Sequence, residues 1–190
     1  MPSGKAILIV DDDPVTHTLV ATMLRSEDLE IESASNGGEA LGRLDARCFD
    51  VVLTDIRMPG MDGLTLLQRI KERHPETKVV VMTAETTANT IVRAIRAFSF
   101  LSKPLSRAGL IDTVNGALTV KAHDDDIEVL SARPGWISIR LRCKMIIADR
   151  LAQFFREIVT DLAPDERESI STAFRELLMN AIEHGGKSEQ

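Results

Sequence analysis

Apolar and polar positions along residues 5–120 follow two alternating periods. Short runs rich in Val, Ile and Leu, which are typical of buried strands, cover residues 5–10, 29–34, 51–55, 78–82 and 97–101. Between these runs the apolar residues recur at helical spacing, as in the stripe Leu64, Leu67 and Ile70. Five strand and helix repeats predict a doubly wound α/β domain, in which a five-stranded parallel sheet is covered by helices on both faces.

The helices of this domain carry recognisable start and stop signals. Asp13 before Pro14 predicts an N-cap with proline at the first helical position, so a helix is expected over residues 15–26. His74 and the proline after it end a later helix, and His74 is therefore expected at the surface. Ser106 is expected to cap the last helix of the domain. Other helices are predicted over 38–47 and up to about residue 96.

Four of the predicted strands end in residues that carry chemistry. Asp11 and Asp12 follow the first strand, and Asp55 ends the third. Thr83 follows the fourth strand, and Lys103 follows the fifth. Taken singly, each residue has a structural explanation: a helix cap, a solvated side chain or a polar turn. Because ligands bind at the carboxyl ends of parallel strands, we expect all five side chains to converge at one edge of the sheet.

This combination of side chains suits the transfer of a phosphoryl group. The carboxylates of Asp11, Asp12 and Asp55 can hold a Mg²⁺ ion that keeps several of its waters. The metal, the Lys103 ammonium and the Thr83 hydroxyl can neutralise the oxygens of a phosphoryl group in transfer. Asp55 is then predicted to be the nucleophile, forming an acyl phosphate.

Length, composition and net charge limit the classes of protein to which the chain can belong. With 190 residues the chain has room for one domain of ordinary size and a smaller second part, and 44% hydrophobic residues indicate a globular protein. A net charge of −6 argues against a nucleic-acid partner. No apolar run is long enough to span a membrane and the N-terminus has no signal-peptide layout, so we expect a cytoplasmic protein. Cys48 and Cys143 fit no metal or disulfide spacing and are expected to be buried thiols.

Four segments of the first part together resemble the receiver domain of two-component response regulators. They are ILIVDD at 7–12, LTDIRMPGMDG at 53–63, VMTA at 81–84 and FLSKP at 100–104. The resemblance covers residues 5–120, with domain bounds of 1–121, and implies a flavodoxin-like fold. It also implies that Asp55 is phosphorylated by a sensor histidine kinase or a phosphotransfer protein.

The same resemblance implies roles for the residues around the phosphorylation site. It implies four Mg²⁺ ligands, namely the side chains of Asp11, Asp12 and Asp55 and the backbone carbonyl of Arg57. Thr83 and Lys103 would bind the phosphoryl oxygens, Phe100 occupies the switch-aromatic position, and the Lys103–Pro104 bond is expected to be cis. The chain departs from the family in carrying Arg96 where glycine is usual and in a short segment before Lys103, so we expect a trimmed or irregular fourth helix.

A second apolar pattern follows a polar, acidic break. Residues 122–130 are predicted to be a linker, and residues 131–190 a C-terminal α+β fragment. Two strands and two long helices are expected, over 127–130, 136–141, 144–161 and 165–183. Residues 131–135 are expected to form a turn.

Three polar residues of the last helix, Glu176, Asn180 and His184, are spaced four apart and share one face. Such spacing alone is more typical of the solvated face of an amphipathic helix. The segment 174–185, however, resembles the N-box helix of the histidine-kinase-like ATPase fold, and the strand and helix before it resemble anti-sigma-factor serine kinases. The resemblance implies that Asn180 is a Mg²⁺–ATP ligand and Glu176 a general base, with His184 near the nucleotide.

The remaining motifs of that ATPase fold do not follow. There is no Asp-x-Gly-x-Gly motif and no glycine-rich lid after the N-box. We therefore expect the chain to be a piece of a longer protein, with ATP as a cofactor of the complete protein only. Apolar surface left on the two long helices can be covered by packing on the receiver or by formation of a homodimer.

Three functional hypotheses remain open. In the first, phosphorylation of Asp55 moves Thr83 and Phe100 and regulates a tethered kinase-like output domain that acts on a sigma-factor regulator. In the second, the C-terminal part is an interaction or dimerisation module without a nucleotide. In the third, weaker hypothesis, the acids belong to a metal-dependent phosphatase, but such enzymes carry their nucleophile on the first strand and Asp55 lies on the third.

Overall fold

A computed structural model describes residues 4–25, 29–84, 96–119, 127–133, 136–141, 145–158 and 162–185. The described residues up to 84 and from 97 to 119 form one compact unit, and those from 127 onward belong to a second. Within these ranges no helix is both long and apolar enough to cross a membrane.

The first unit is built on a five-stranded, fully parallel sheet. Its strands β1 to β5 span Lys5–Val10, Leu29–Ala34, Val51–Asp55, Lys78–Thr83 and Ser99–Ser102. Its described helices α1 to α4 span Pro14–Met23, Gly37–Ala46, Gly63–Arg73 and Arg107–Thr119. The strand order is β2-β1-β3-β4-β5, which confirms the predicted doubly wound parallel sheet. The helix predicted to end near residue 96 falls mostly on residues 85–95, outside the described ranges.

The core of this unit follows from the apolar runs. The strands β1, β3 and β4 lie in the middle of the sheet, and nearly all of their residues are buried. Alternate residues of each strand face opposite sides of the sheet. One face packs against α1 and α4 through Val20, Leu110 and Val114. Leu64, Leu67 and Ile70 of α3 are also buried, which confirms the helical stripe.

The parallel register determines where the chemical residues lie. Asp55 is the last residue of β3 and pairs with Met82 of the neighbouring strand. Thr83 ends β4 and pairs with Ser102, and Lys103 follows directly in the chain. Because every strand runs in the same direction, these residues lie at one edge of the sheet.

Most element bounds agree with the sequence analysis to within a few residues. Asp13 caps α1 as predicted, because its Oδ1 accepts a hydrogen bond from the backbone N–H of Val15 at 2.9 Å. Ser106 precedes α4, and its hydroxyl accepts a hydrogen bond from the N–H of Gly109 at 3.1 Å. The last strand begins at Ser99 rather than at residue 97, because its paired register with β4 begins opposite Val80.

The predicted environment of Cys48 differs from that in the structure. Cys48 is exposed rather than buried, because it lies in the short connection after α2. Cys143 lies outside the described residues. His74 follows α3 and lies at the surface as predicted, with its side chain 23% exposed and Nε2 3.1 Å from Oδ1 of Asp45.

The second unit consists of a hairpin and a helix pair. The strands β6 (Ile127–Arg133) and β7 (Trp136–Leu141) are antiparallel. The helices α5 (Met145–Ile158) and α6 (Pro164–Gly185) are joined by a hydrogen bond from the buried Ser171 hydroxyl to the carbonyl of Ala152, at 2.8 Å.

The hairpin differs from its prediction in the extent of its first strand. Residues 131–133 were predicted to form a turn, but they continue β6 because they pair with residues 136–138 of β7. The strand also starts inside the segment 122–130 that was predicted to be a linker. The domain bounds 1–121 and 131–190 stay a prediction.

Candidate functional site

Asp55 is held at the edge of the sheet by a different partner on each carboxylate oxygen. Oδ2 accepts a hydrogen bond from the backbone N–H of Arg57 at 2.6 Å. Oδ1 lies 2.5 Å from Nζ of Lys103. The residue is only 7% exposed, so both partners act on a carboxylate that is mostly removed from water. Such a group needs compensating charge and hydrogen bonds, and the site provides both.

The ammonium of Lys103 bridges two buried acids. Besides its contact with Asp55, it donates a hydrogen bond to Oδ2 of Asp11 at 2.9 Å. Asp11 is 2% exposed, and its other oxygen accepts a hydrogen bond from the N–H of Asp13 at 2.9 Å. The backbone N–H of Lys103 donates to the carbonyl of Thr83 at 2.8 Å, and the peptide bond to the following proline is cis, as predicted.

The charge state of Lys103 reflects two opposing effects. Partial burial lowers the pKa of Lys103, but its hydrogen bonds with Asp55 and Asp11 and the attraction of both carboxylates act in the opposite direction. The carboxylates prevail, and the pKa of Lys103 lies above the ordinary lysine value of 10.5. A protonated lysine between two carboxylates is therefore the stable arrangement at neutral pH.

Thr83 and Phe100 lie on the two neighbouring strands. Thr83 is the last residue of β4 and is 4% exposed. Phe100 lies on β5 opposite Val81 and is 7% exposed. The hydroxyl predicted to bind phosphoryl oxygens and the predicted switch aromatic are thus both buried, on the two strands that follow β3 in the sheet.

The loop between β3 and α3 is closed tightly at its base. The N–H of Gly63 donates to the carbonyl of Ile56 at 2.9 Å, and a Cβ on Gly63 would overlap the carbonyl oxygen of Asp55. Gly60 has a φ of 79°, a left-handed conformation that favours glycine. Asp62 caps α3 by accepting a hydrogen bond from the N–H of Thr65 at 2.6 Å, a role that the sequence analysis missed although Asp62 directly precedes the helix.

The oxygen donors at this edge suit a hard cation such as Mg²⁺. Asp11 and Asp55 contribute buried carboxylates on either side of Lys103, and the Arg57 peptide adjoins Asp55. Asp12 differs from them, because its side chain is exposed. Among the residues that the structure describes, no three His, Cys, Asp or Glu side chains are grouped as metal ligands, and the ammonium of Lys103 lies between the two buried acids. The ligand set stays a prediction.

The residues predicted to contact a nucleotide lie in the second unit. Glu176 and Asn180 lie on α6 with His184, and their spacing places the three along one face of the helix. None of the three side chains is buried. Two apolar residues of the same helix, Ile170 and Leu177, are exposed as well. The nucleotide-binding roles of Glu176, Asn180 and His184 stay predictions.

Comparison with solved structures agrees with the fold of the first unit. A response regulator receiver domain protein from Methanospirillum hungatei superposes with a TM-score of 0.59 at 30% identity, covering 61% of this chain and 94% of that one. The response regulator TrrA from Thermotoga maritima, solved in complex with Mg²⁺ and BeF, gives a TM-score of 0.56 at 32% identity. That match covers 60% of this chain and 99% of TrrA.

Curated relatives match a similar share of the sequence. The DNA-binding transcriptional regulator NtrC of Salmonella typhimurium is 38% identical over 115 residues, and the response regulator protein PilR of Pseudomonas aeruginosa is 39% identical over 121 residues. These matches cover 60% and 63% of this chain but only 24% and 27% of the relatives. The chain thus spans about a quarter of their length. The name of NtrC includes DNA binding, so the predicted absence of a nucleic-acid partner is not confirmed.

A protein-family model identifies the family to which the chain belongs. The model described as "Response regulator receiver domain" matches residues 7–115, which is more than half of the chain and includes Asp11, Asp55, Thr83 and Lys103. None of these matches supports the histidine-kinase-like or anti-sigma part of the sequence interpretation. The chain belongs to the response regulator receiver domain family.

Proposed function

We propose that Asp55 accepts a phosphoryl group from a phosphohistidine of a sensor histidine kinase or a phosphotransfer protein, the partners with which receiver domains interact. The observation that carries the proposal is the pair of contacts on Asp55, with Lys103 on one oxygen and the Arg57 N–H on the other. These contacts orient a buried carboxylate at the open edge of the sheet. The arrangement suits a nucleophile better than a structural acid.

The proposed reaction exchanges one bond to phosphorus for another. A lone pair on a carboxylate oxygen of Asp55 attacks the phosphorus atom, and an O–P bond forms as the P–N bond to the donor imidazole breaks. The electron pair of the broken bond stays with the imidazole nitrogen, which leaves as a neutral ring when its other nitrogen is protonated. Lys103 lies close enough to Asp55 to attract a phosphoryl oxygen, and Thr83 supplies a hydroxyl donor.

Receiver domains bind Mg²⁺, and the acids of this chain suit the same ion. In the proposal, Asp11, Asp12, Asp55 and the Arg57 carbonyl would hold it. When bound, the ion supplies positive charge against the phosphoryl oxygens. Asp11 and Asp55 already share the cation Lys103, so the protein's own part is to hold the two acids next to each other around a common counter-ion.

We propose that the output signal is a change in the positions of two buried side chains, those of Thr83 and Phe100. Both lie on strands beyond Asp55 in the sheet, and each is almost fully covered in the described structure. A hydroxyl drawn toward a phosphoryl oxygen leaves space that the aromatic ring can enter. Phosphorylation then favours a second arrangement of this edge of the sheet, which a partner or the second unit can recognise.

The direct test is the intact mass of the chain after incubation with Mg²⁺ and acetyl phosphate. We expect a labile gain of roughly 80 Da, the mass of one phosphoryl group, in the wild-type chain and none in Asp55→Ala. Asp45→Ala, which removes an exposed acid that pairs with Arg73, is the matched control and should gain the same mass. A wild-type chain that gains no mass, or a gain that persists in Asp55→Ala, contradicts the proposal.

For the second unit we propose that α6 presents Glu176, Asn180 and His184 to Mg²⁺–ATP, as the output element that the receiver regulates. Support comes from the shared face of the three side chains, and from the N-box resemblance of residues 174–185. The second unit, acting as a kinase-like output, would then have a regulator of a sigma factor as its target. The rival proposal makes the unit an interaction or dimerisation module, and the exposure of Ile170 and Leu177 favours that role.

Calorimetric titration with Mg²⁺–ATP separates these two roles when it is done on a longer chain that includes the motifs expected after the N-box. Binding that is lost in Asn180→Ala and kept in Asn115→Ala, an asparagine of the receiver, supports the nucleotide role. Absence of binding, together with a dimer that Leu177→Glu converts to a monomer in sedimentation, supports the interaction module instead. Binding that survives Asn180→Ala contradicts the N-box assignment.

A further inference from the structure

We infer that Met61 is a positioning residue for the phosphorylation site, and that it acts by packing against Gly37 at the start of α2. The inference rests on the proposed function, because it concerns the loop that carries Arg57. Met61 lies in this loop, between β3 and α3, whereas Gly37 lies in a different repeat of the sheet. Their contact therefore joins the loop to a helix that contributes no residue to the site.

The contact is close along the whole Met61 side chain. A Cβ placed on Gly37 would lie 2.8 Å from Sδ of Met61, 3.0 Å from Cγ and 3.0 Å from Cβ. A clash with Sδ alone would be relieved by rotating the flexible end of the side chain. The approach to the Cβ of Met61 is different, because that atom moves only with the backbone of the loop. A Cβ at residue 37 therefore requires either the Met61 loop or the start of α2 to shift.

The Gly37 side of the contact is rigid. Asn36 caps α2, because its Oδ1 accepts a hydrogen bond from the N–H of Glu39 at 2.9 Å. The Glu39 carboxylate returns to accept a hydrogen bond from the N–H of Ser35 at 2.9 Å. The first turn is thus fixed from both directions, in a variant of the capping box in which Glu39 accepts from the residue before the N-cap. A Cβ added at residue 37 should therefore displace the loop that carries Met61 rather than the start of α2.

The outer part of the loop lies beyond the hydrogen bond that closes its base. That bond joins Gly63 to Ile56, whereas Gly60 at the tip takes a left-handed conformation that only a flexible residue adopts readily. Between these points lies Arg57, whose N–H contacts Asp55 at 2.6 Å and whose carbonyl is the predicted metal ligand. The packing of Met61 on Gly37 therefore holds the outer part of this loop against α2.

The test measures the rate of phosphorylation by acetyl phosphate at increasing Mg²⁺ concentrations, using the whole chain. We expect Gly37→Ala and Met61→Ala each to raise the half-saturating Mg²⁺ concentration by about tenfold, the lower end of what loss of an outer support of a metal site costs. Met61→Leu conserves volume and should stay close to the wild type. Gly42→Ala is the matched control, because a Cβ there meets no atom within 4 Å.

The double variant distinguishes this mechanism from a general effect on α2. In a Met61→Gly background residue 61 has no Cβ, Cγ or Sδ for a Cβ at residue 37 to meet, so Gly37→Ala should then raise the Mg²⁺ requirement no further. An equal effect of Gly37→Ala in both backgrounds would overturn the inference. So would unchanged Mg²⁺ dependence in the two single variants, provided that circular dichroism shows them folded. If Gly37→Ala does not fold, the half-saturating Mg²⁺ concentrations of Met61→Ala and Met61→Leu test the inference without it. Equal values in these two variants would then overturn the inference.

Failure of the proposed function gives a different result. If the wild-type chain gains no phosphoryl group, the proposed function is contradicted whatever the variants do. The same variants are then compared by the rise in Tm on adding Mg²⁺, which reports metal binding without phosphoryl transfer. An equal rise in the wild type and Met61→Ala would overturn the positioning role there as well.

Discussion

Lys103 Nζ lies 2.5 Å from Oδ1 of Asp55, and the same ammonium lies 2.9 Å from Oδ2 of Asp11. The two acids have the same charge and their carboxylates are almost completely buried, whereas the lysine side chain is 27% exposed. Two like charges in such an environment repel each other strongly unless a cation is shared between them. The lysine predicted to bind a phosphoryl oxygen is therefore also the counter-ion of the unphosphorylated site.

Replacement of Lys103 should weaken the fold measurably when no metal is present. We expect Lys103→Met to lower the free energy of unfolding by about 1–3 kcal/mol, because it leaves buried charged acceptors without their partner. Urea denaturation in EDTA provides the measurement. Lys5→Met is the control, because Lys5 pairs with Asp50 in an exposed ion pair, which is typically worth only about 0–1 kcal/mol. Equal losses in the two variants would refute the role of counter-ion.

Magnesium should compensate for the missing lysine. In Lys103→Met the ion meets two carboxylates without a competing ammonium, so we expect saturating Mg²⁺ to raise Tm by more than it does in the wild type. Calorimetric scans with Mg²⁺ and with EDTA measure the difference. Adding Asp11→Asn to the variant should reduce the gain, since it removes one of the charged ligands. A smaller Mg²⁺ effect in Lys103→Met than in the wild type would count against a shared site.

Alkaline pH should remove the stability that the lysine provides. Because the pKa of Lys103 is higher in the folded chain than its ordinary value of 10.5, its contribution is fully present below pH 10.5. The contribution is lost as the pH rises through the higher, folded-state pKa. We therefore expect the stability difference between the wild type and Lys103→Met to be constant from pH 7 to about pH 9.5 and to shrink above pH 10.5. Urea titrations across this range measure it, and a difference that grows with pH would contradict the assignment.

Glycine at residue 63 should be indispensable for a steric reason. A Cβ there would overlap the carbonyl oxygen of Asp55, an atom that belongs to the backbone of β3 and cannot rotate away. We expect Gly63→Ala to cost about 3 kcal/mol or more in unfolding free energy, in the range of strong overpacking. Gly42→Ala, in open space on α2, should be neutral or stabilising by up to about 1 kcal/mol. Similar denaturation midpoints for the two variants would show that the loop can move.

The sequence was most informative where local pattern and global topology agree. Runs of β-branched residues that stop at Asp11, Asp55 and Thr83 indicate buried strands, and helices between the strands require parallel neighbours. Parallel strands bring their carboxyl ends to one edge, so convergence of Asp11, Asp55, Thr83 and Lys103 was predictable from strand direction. The caps Asp13 and Ser106 were predictable for the same reason, because capping depends on adjacent residues.

Other features depend on residues distant in the chain and left no local signal. The exposure of Cys48 and the partial burial of His74 depend on how connections and neighbouring helices pack. In the second unit the strand β6 runs past its predicted end because it pairs with β7, and pairing of this kind overrides turn propensity.

By itself, the sequence determined the parallel α/β fold of the receiver, the identity of its chemical residues and the sheet edge at which they meet, because hydrophobic period and chain direction are local properties. Only the tertiary structure decided that Lys103 bridges Asp55 to Asp11, that Asp12 is exposed, and that Met61 rests on Gly37. These relationships are distances between atoms of different repeats. They depend on packing and on the balance of buried charge, which no short stretch of sequence encodes.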